Sequence, residues 1–402
     1  RNLSTMADKS SKAEHKFWGL QPVIKEGEEA LPLSVADSGP IHELKKPEDI
    51  RAEPLGLPQG FVWSTMDVND DAQMKEIYDL LYGNYVEDDD AMFRFNYSIP
   101  FLRWALTPPG YVQDWHIGVR SASNKLLVGL ITGIPVTTNV YDKSMKMAEI
   151  NFLCVHKKLR AKRLAPVLIR EVTRRVNRMD IWQATYTAGV KLPGNVGECR
   201  YYHRSINPQK LIEVGFSHLR NRVTMSMTKK LYALPDKTST PGFRKMREED
   251  APQITALLTT YLKGFDLTVH FDEADVKHWI CPHDGIVDAF VVEDPTTKQI
   301  TDFCSFYHLP STVLGHAVHK EVRAAYSYYN VATKTPLDEL VHDALICAKQ
   351  LGVDVMNCLD LLDNKSFIDK LKFGAGDGNL HYYLYNWKCP HMPSNKVGLV
   401  LL

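Results

Sequence analysis

One order of strands and helices is written twice along this chain, and that repeat restricts the fold more than composition does. In the first run, Phe61-Val62-Trp63 reads as a strand and Asp67 to Tyr85 as a capped helix. Trp115 to Val119 and Leu126 to Ile131 read as a hairpin, and a further strand leads to a helix, Val167 to Val176, opened by Pro166. In the second run, Phe243 to Phe265 reads as strand and helix, and Ile286 to Glu293 and Ile300 to Phe306 as a hairpin about Pro295-Thr296-Thr297. Pro336 then opens a helix, Leu337 to Leu351, with Thr335 as its expected cap and Gly352 at its end. Each run closes alike: strand Trp182 to Val190 with short helix Gln209 to Val214, and strand Val353 to Leu359 with Ser366 to Leu371. The pattern predicts an α/β (α+β) chain of two pseudo-symmetric halves with mixed, largely antiparallel sheets and flanking helices. Leu234 to Gly242 (LPDKTSTPG) reads as the linker between them. The expected division is a flexible lead-in at 1–60, a first half at 61–233, the linker at 234–242 and a second half at 243–402.

Bulk numbers exclude several classes. Lys plus Arg and Asp plus Glu are 48 each in 402 residues, so no global field draws the chain to nucleic acid. Seven cysteines, none in a Cys-x-x-Cys pair, argue against a disulfide scaffold or structural zinc and for a reducing, cytoplasmic compartment. No stretch approaches the roughly 20 apolar residues of a membrane span, and Arg1 to Lys16 lacks the apolar core of a signal peptide. The first residue is Arg rather than Met, which leaves room for a native start upstream.

Chemistry concentrates in Glu149 to Pro166, EINFLCVHKKLRAKRLAP. An apolar strand is followed by Lys157, Lys158, Arg160, Lys162 and Arg163, and then by a helix start. Free N–H groups and the dipole at a helix N-terminus favour an anion, and basic side chains reinforce the preference. The phosphates of coenzyme A fit that description; a solvated basic turn is the other reading. The acidic run Glu87 to Asp90 reads as a solvated loop or cap, and Phe93, Phe95 and Tyr97 alternate beyond it as one face of a strand. The tail Lys396 to Leu402 is apolar to its last residue, where termini are ordinarily polar, and reads as a final core strand.

Glu149 to Lys157 and Lys372 to Gly378 (KFGAGDG) resemble the signature segments of protein N-myristoyltransferases. Phe17-Trp18, Glu87 to Tyr97, Tyr186 to Val190, Cys199 to Pro208 and Tyr383 to Pro390 match the same family in order. The resemblance implies two halves like the Gcn5-related acetyltransferase unit, the first binding acyl-CoA and the second contributing to a peptide groove. That superfamily's Arg-x-x-Gly-x-Gly/Ala loop reads Arg160-Ala161-Lys162-Arg163-Leu164-Ala165 here, which fits the myristoyltransferase branch.

The implied activity moves myristate from myristoyl-CoA to the N-terminal glycine amine of proteins, without a metal. The implied acyl-CoA site comprises Lys16, Phe17, Trp18, Phe152, Leu153, Cys154, Val155, Arg160, Ala161, Lys162, Arg163, Leu164 and Ala165. The backbone N–H groups of Phe152 and Leu153 would form the oxyanion hole, as a bulged strand can. The Leu402 carboxylate would be the base, its pKa raised by burial. An α-amine with a pKa of ~7.7–8.0 needs such a base at neutral pH. The implied peptide site comprises Tyr85, Val86, Asp88, Asp90, Phe93, Phe95, Tyr97, Thr187, Gly189, Tyr201, His203, Phe216, Tyr326, Asp377 and Leu402. Asp377 is also explained by an Asx bond fixing a turn at Gly376-Asp377-Gly378.

Expected clients begin Gly-x-x-x-Ser/Thr once Met is removed, including nascent chains. A monomer is expected, with association at a ribosome or membrane surface left open, as is slow transfer to a lysine amine. Two rival readings remain. Cys154 and His156 share a strand face and suit an acyl-cysteine route. A doubled fold could also hold acyl-CoA without turnover, and would then have no use for a buried chain terminus.

Overall fold

The computed structural model describes residues 17–25, 33–86 and 92–402. The first repeat becomes β1 (Phe61–Thr65), helix Asp71–Asn84, β2 (Phe93–Phe95), helix Ile99–Leu106, β3 (His116–Ser121), β4 (Leu127–Val140), β5 (Lys143–Val155), helix Leu164–Asn177, β6 (Ala184–Ala188) and β7 (Asn195–Ser205). Short helices at Pro208–Glu213 and Met225–Leu231 lead to β8 (Phe243–Lys245), helix Ala251–Leu262, β9 (Leu267–Val269), helix Glu273–Trp279, β10 (Val287–Glu293) and β11 (Ile300–His308). The chain closes with β12 (Ser311–Val313), β13 (Glu321–Val322), β14 (Ala324–Ser327), helix Leu337–Gln350, β15 (Val355–Leu359), helix Lys365–Ile368, β16 (Gly374–Tyr385) and β17 (Val397–Gly398). No described helix is long and apolar enough to cross a membrane.

The two halves are mixed, largely antiparallel sheets that repeat one strand arrangement. Strands β1, β3, β4 and β5 are antiparallel neighbours, and β6 joins β5 in parallel. Strands β8, β10, β11 and β14 repeat the arrangement, with β15 parallel to β14. The last strand of each half has crossed over. β16, late in the chain, lies antiparallel to β6, while β7, from the first half, lies antiparallel to β15. β7 and β16 also pair with each other, so one sheet runs unbroken through both halves. β4 is buried over most of its length, as expected of a strand covered on both faces.

Local chemistry modifies two expectations. Thr335 does not cap the helix at Leu337–Gln350, whose N-cap residue is Pro336. Buried Asp302 instead gathers the N–H groups of Thr333, Lys334 and Thr335 and the Thr335 hydroxyl, using those donors to satisfy its own charge. Nor is Gly376-Asp377-Gly378 a turn. These three residues bulge out of β16 opposite the single residue Tyr201 of β7.

The tail is held as part of the core. β17 pairs in parallel with β9, which pairs with the end of β4. Gly398 lies so close to β9 that a Cβ would sit 2.8 Å from Thr268 Cγ2. Beyond it, the Leu399 carbonyl accepts from the Tyr382 hydroxyl and the Val400 N–H donates to Tyr329 Oη.

Glu171, fully buried on the helix behind β4, accepts from the guanidinium groups of Arg174 and Arg175 and from the Leu55 N–H, tying residues 51–57 to the sheet. Burial alone would raise its pKa, but these donors outweigh it and hold the carboxyl below the usual range. Glu171→Gln should lower the unfolding free energy by about 3 kcal/mol in denaturant titrations near pH 7. A depressed folded pKa contributes stability above the unfolded value and loses it in acid. The difference between wild type and variant should therefore shrink below about pH 4.

Candidate active site

The site begins with a break in a strand. β4 and β5 keep register until Thr132 faces Asn151, and Leu130 next faces Cys154. Ile131 thus spans two residues of β5, Phe152 and Leu153, which form a β-bulge. Phe152 adopts φ 53°, a left-handed conformation unfavourable for an aromatic residue. Packing enforces it: the ring is almost wholly buried, edge-on to Tyr97 at 5.2 Å and tilted against Tyr85 at 5.9 Å.

Asn151 joins this bulge to the end of the sequence. Its Oδ1 accepts from the Phe152 N–H at 2.8 Å, and its Nδ2 donates to a main-chain oxygen of Leu402 at 2.8 Å. A flipped amide would set donor against donor and oxygen against oxygen, so the network fixes its orientation. The Asn151 carbonyl accepts from the Thr132 hydroxyl at 2.8 Å, and the Tyr85 hydroxyl stands 3.4 Å from Oδ1. Leu399, Val400 and Leu401 are buried, and Leu402 is half-buried.

An apolar cavity of about 230 Å³ opens beside the bulge. Phe152, Leu153, Ile131, Ile150, Val172 and Trp18 line it, with Thr187 also in its wall. Trp18 stacks on Tyr186 at 5.8 Å, and Phe17 packs edge-on to Trp18. Past the bulge, Lys157–Lys162 form a 3-10 turn and Arg163 turns left-handed at φ 57°. The helix Leu164–Asn177 then starts two residues before the expected Pro166, with no side chain capping it. Its first N–H groups, with the exposed Ala161, Lys162 and Arg163 around them, give that end the positive potential that favours an anion. Arg160 is partly tied back to the Asn84 carbonyl at 2.9 Å.

On the other side, a cluster of aromatic residues gathers from both halves. Tyr97 is in electrostatic reach of Tyr85, Tyr201, Tyr307 and Tyr326. Burial pushes all of these hydroxyls up, that of Tyr326 to about 12, so they remain neutral donors. His203 on β7 bonds Asn357 Oδ1 at 2.6 Å and meets Phe216 edge-on at 5.5 Å, and burial lowers its pKa. Asp377, in the β16 bulge, acts electrostatically on that imidazole. Phe93 packs on Phe216, and Phe95 on Tyr97. Val86 is exposed beside Phe95, and Gly189 faces open space. Lys16, Asp88 and Asp90 lie outside the described residues.

Comparison with known proteins assigns this arrangement. Residues 40–199 match the N-terminal domain and residues 213–400 the C-terminal domain of Myristoyl-CoA:protein N-myristoyltransferase. The chain is 58% identical over 394 residues to glycylpeptide N-tetradecanoyltransferase 2 of Danio rerio, covering 98% of this chain and 78% of that protein. It is 55% identical over 400 residues to glycylpeptide N-tetradecanoyltransferase 1 of Arabidopsis thaliana, covering 98% and 91%. A crystal structure of Saccharomyces cerevisiae N-myristoyltransferase with bound myristoyl-CoA superposes with a TM-score of 0.92 at 42% identity, covering 97% of this chain and 95% of that one.

The chain belongs to the N-myristoyltransferase family. It is an acyltransferase, and within an N-myristoyltransferase the bulge, cavity and groove acquire specific chemical consequences. Cys154 is buried, and burial pushes its thiol up to about 12, which makes it a poor nucleophile for an acyl-cysteine route. His156 Nδ1 is occupied by the Lys158 N–H. Among the described residues, no group of three or more His, Cys, Asp or Glu could hold a metal ion. Sequence reasoning passed over Asn151, although it is a lone amide in an apolar strand and therefore needs partners for both ends of its side chain.

Asn151→Ala should release the chain end. A hydrogen bond to a charged group contributes roughly 1.5–3 kcal/mol, so carboxypeptidase should remove Leu402 at least about tenfold faster from this variant than from wild type.

Proposed function

We propose that this chain transfers myristate from myristoyl-CoA to the N-terminal glycine amine of proteins by direct attack, with the chain terminus as base. The observation that supports it is the Asn151 bridge, which sets Leu402 beside the backbone of the bulge at the mouth of the apolar cavity. The acyl chain occupies that cavity, each buried CH₂ contributing about 0.8 kcal/mol. The coenzyme phosphates lie against the uncapped helix start and its basic turn.

The proton balance follows from these positions. The Leu402 carboxylate takes a proton from the glycine ammonium, and the neutral amine attacks the thioester carbon. Negative charge on the carbonyl oxygen is met by the N–H groups of Phe152 and Leu153, fixed donors in a dry site. The Phe152 donor must leave Asn151 Oδ1 to do this, so the strained bulge holds a donor in place until substrate displaces that oxygen. As the C–S bond breaks, the thiolate leaves and takes a proton from the new amide nitrogen. The Leu402 carboxyl returns its proton to water. Glycine fits because the reacting Cα carries no side chain between the amine and the thioester.

Two experiments test this reading. A residue appended after Leu402 moves the carboxylate, so thiol release with myristoyl-CoA and a Gly-x-x-x-Ser peptide should fall below about 1% of wild type, as expected when a general base is lost, with acyl-CoA affinity unchanged. Normal turnover by the extended chain would exclude the terminal base. In the groove, a Cβ on Gly376 would lie 2.5 Å from His203 Nε2 and 3.1 Å from the Tyr201 carbonyl. Gly376→Ala should accordingly raise the peptide KM about tenfold while leaving acyl-CoA binding intact.

A further inference from the structure

Glu149 is a deeply placed carboxyl group with nothing to pair with. Other interior carboxylates have donors: Glu171 has two arginines, Asp354 has Lys210, Asp302 has three N–H groups and Asp343 has the N–H groups of Ser239 and Thr240. The Glu149 carboxyl has no hydrogen bond or ion pair among the described residues, and burial pushes it up to about 8. Part of its surface nevertheless remains accessible.

Its direction is set by the strand. Neighbouring Ala148 and Ile150 line the apolar cavity, as Asn151 does, and Glu149 does not. It stands two residues before Asn151, so both side chains leave the same face of β5, about 7 Å apart. Ile134 of β4 and Thr185 of β6 flank it. Tyr328 and Tyr329 are in electrostatic reach of it, and Tyr329 Oη accepts from the Val400 N–H. Burial keeps both phenols neutral, and among the described residues no cation acts on the carboxyl.

A substrate ammonium brought beside Leu402 would lose hydration, and a desolvated charge without counter-charge is costly. We propose that Glu149 is a positioning residue for the substrate amine: a carboxyl group on the Asn151 face of β5 that pairs with the ammonium arriving beside Leu402. This rests on the transfer reading above and adds a second acidic group to it. The balance is one proton: the carboxylic acid gives H⁺ to water and leaves a carboxylate opposite the ammonium. Asn151, not Glu149, contacts the Phe152 N–H and Leu402, so Glu149 influences how the amine binds rather than how the thioester is polarised.

The test uses the full chain loaded with a non-reactive thioether analogue of myristoyl-CoA. Titration calorimetry in two buffers of different ionisation enthalpy counts the protons released as a Gly peptide binds at pH 7. Wild type should release close to one proton, and Glu149→Gln close to none. A glycolyl-capped peptide, which lacks the amine, should release none from either. In turnover, Glu149→Gln should raise the peptide KM about tenfold, one pKa unit's worth of interaction, with kcat and acyl-CoA affinity close to wild type and Glu149→Asp recovering part of the loss. Equal proton release and equal KM in wild type and Glu149→Gln would overturn the role of Glu149. Thiol release by the wild type, measured alongside, shows whether the transfer reading itself stands.

Discussion

A single amide side chain organises the centre of this molecule. Asn151 follows an ordinary stretch of strand and precedes a residue whose backbone is in an unfavourable conformation. Holding Phe152 at positive φ costs on the order of 1–3 kcal/mol. The opposing contributions are local and identifiable: the ring buried between Tyr85 and Tyr97, and the N–H held by Asn151 Oδ1. The other end of the same amide reaches a residue 251 positions away. Bulge and chain terminus are thereby fixed relative to each other through one rigid group, so error in either position is confined to a pair of hydrogen bonds.

The strand exchange explains how both halves contribute to one groove. β7 leaves the first half and lies against β15, taking Tyr201 and His203 with it, while β16 returns to β6 through His381 to Tyr385 and leaves Asp377 opposite Tyr201. The proposed peptide site therefore lies along the seam where β7 and β16 pair. A simple tandem repeat would set two separate sheets side by side with a mobile interface. Here, separating the halves would break backbone ladders on both sides of the seam.

Most of the element order was legible because periodicity of 2 and 3.6 is local information. The strand, basic turn and helix of Glu149 to Pro166 could be read for the same reason, as could the apolar tail. What escaped is non-local. Nothing near β7 or β16 in the sequence says that each pairs with the other half. A positive φ is anticipated at Gly but not at Phe152, because the cause is a register mismatch with Ile131 on another strand. Thr335 has the right type and position for a cap, yet a buried aspartate 33 residues away claims it. Asn151 looked like one polar residue among apolar ones until its second partner was seen.

The arrangement of charge across the site gives the proposed reaction its direction. Carboxyl groups lie on one side, those of Leu402 and Glu149. Peptide N–H groups of the bulge lie in the middle, and the uncapped helix start with its basic turn lies on the other side. On the proposed reading, electrons move along the same line, from the amine beside the carboxylates, to the carbonyl oxygen at the bulge, to the sulfur joined to the phosphate-bearing group. A low-dielectric interior preserves such a field where water would screen it. Acidic groups at the amine end favour arrival of an ammonium but oppose loss of its proton, and a terminus that was strongly acidic would hold the substrate without activating it.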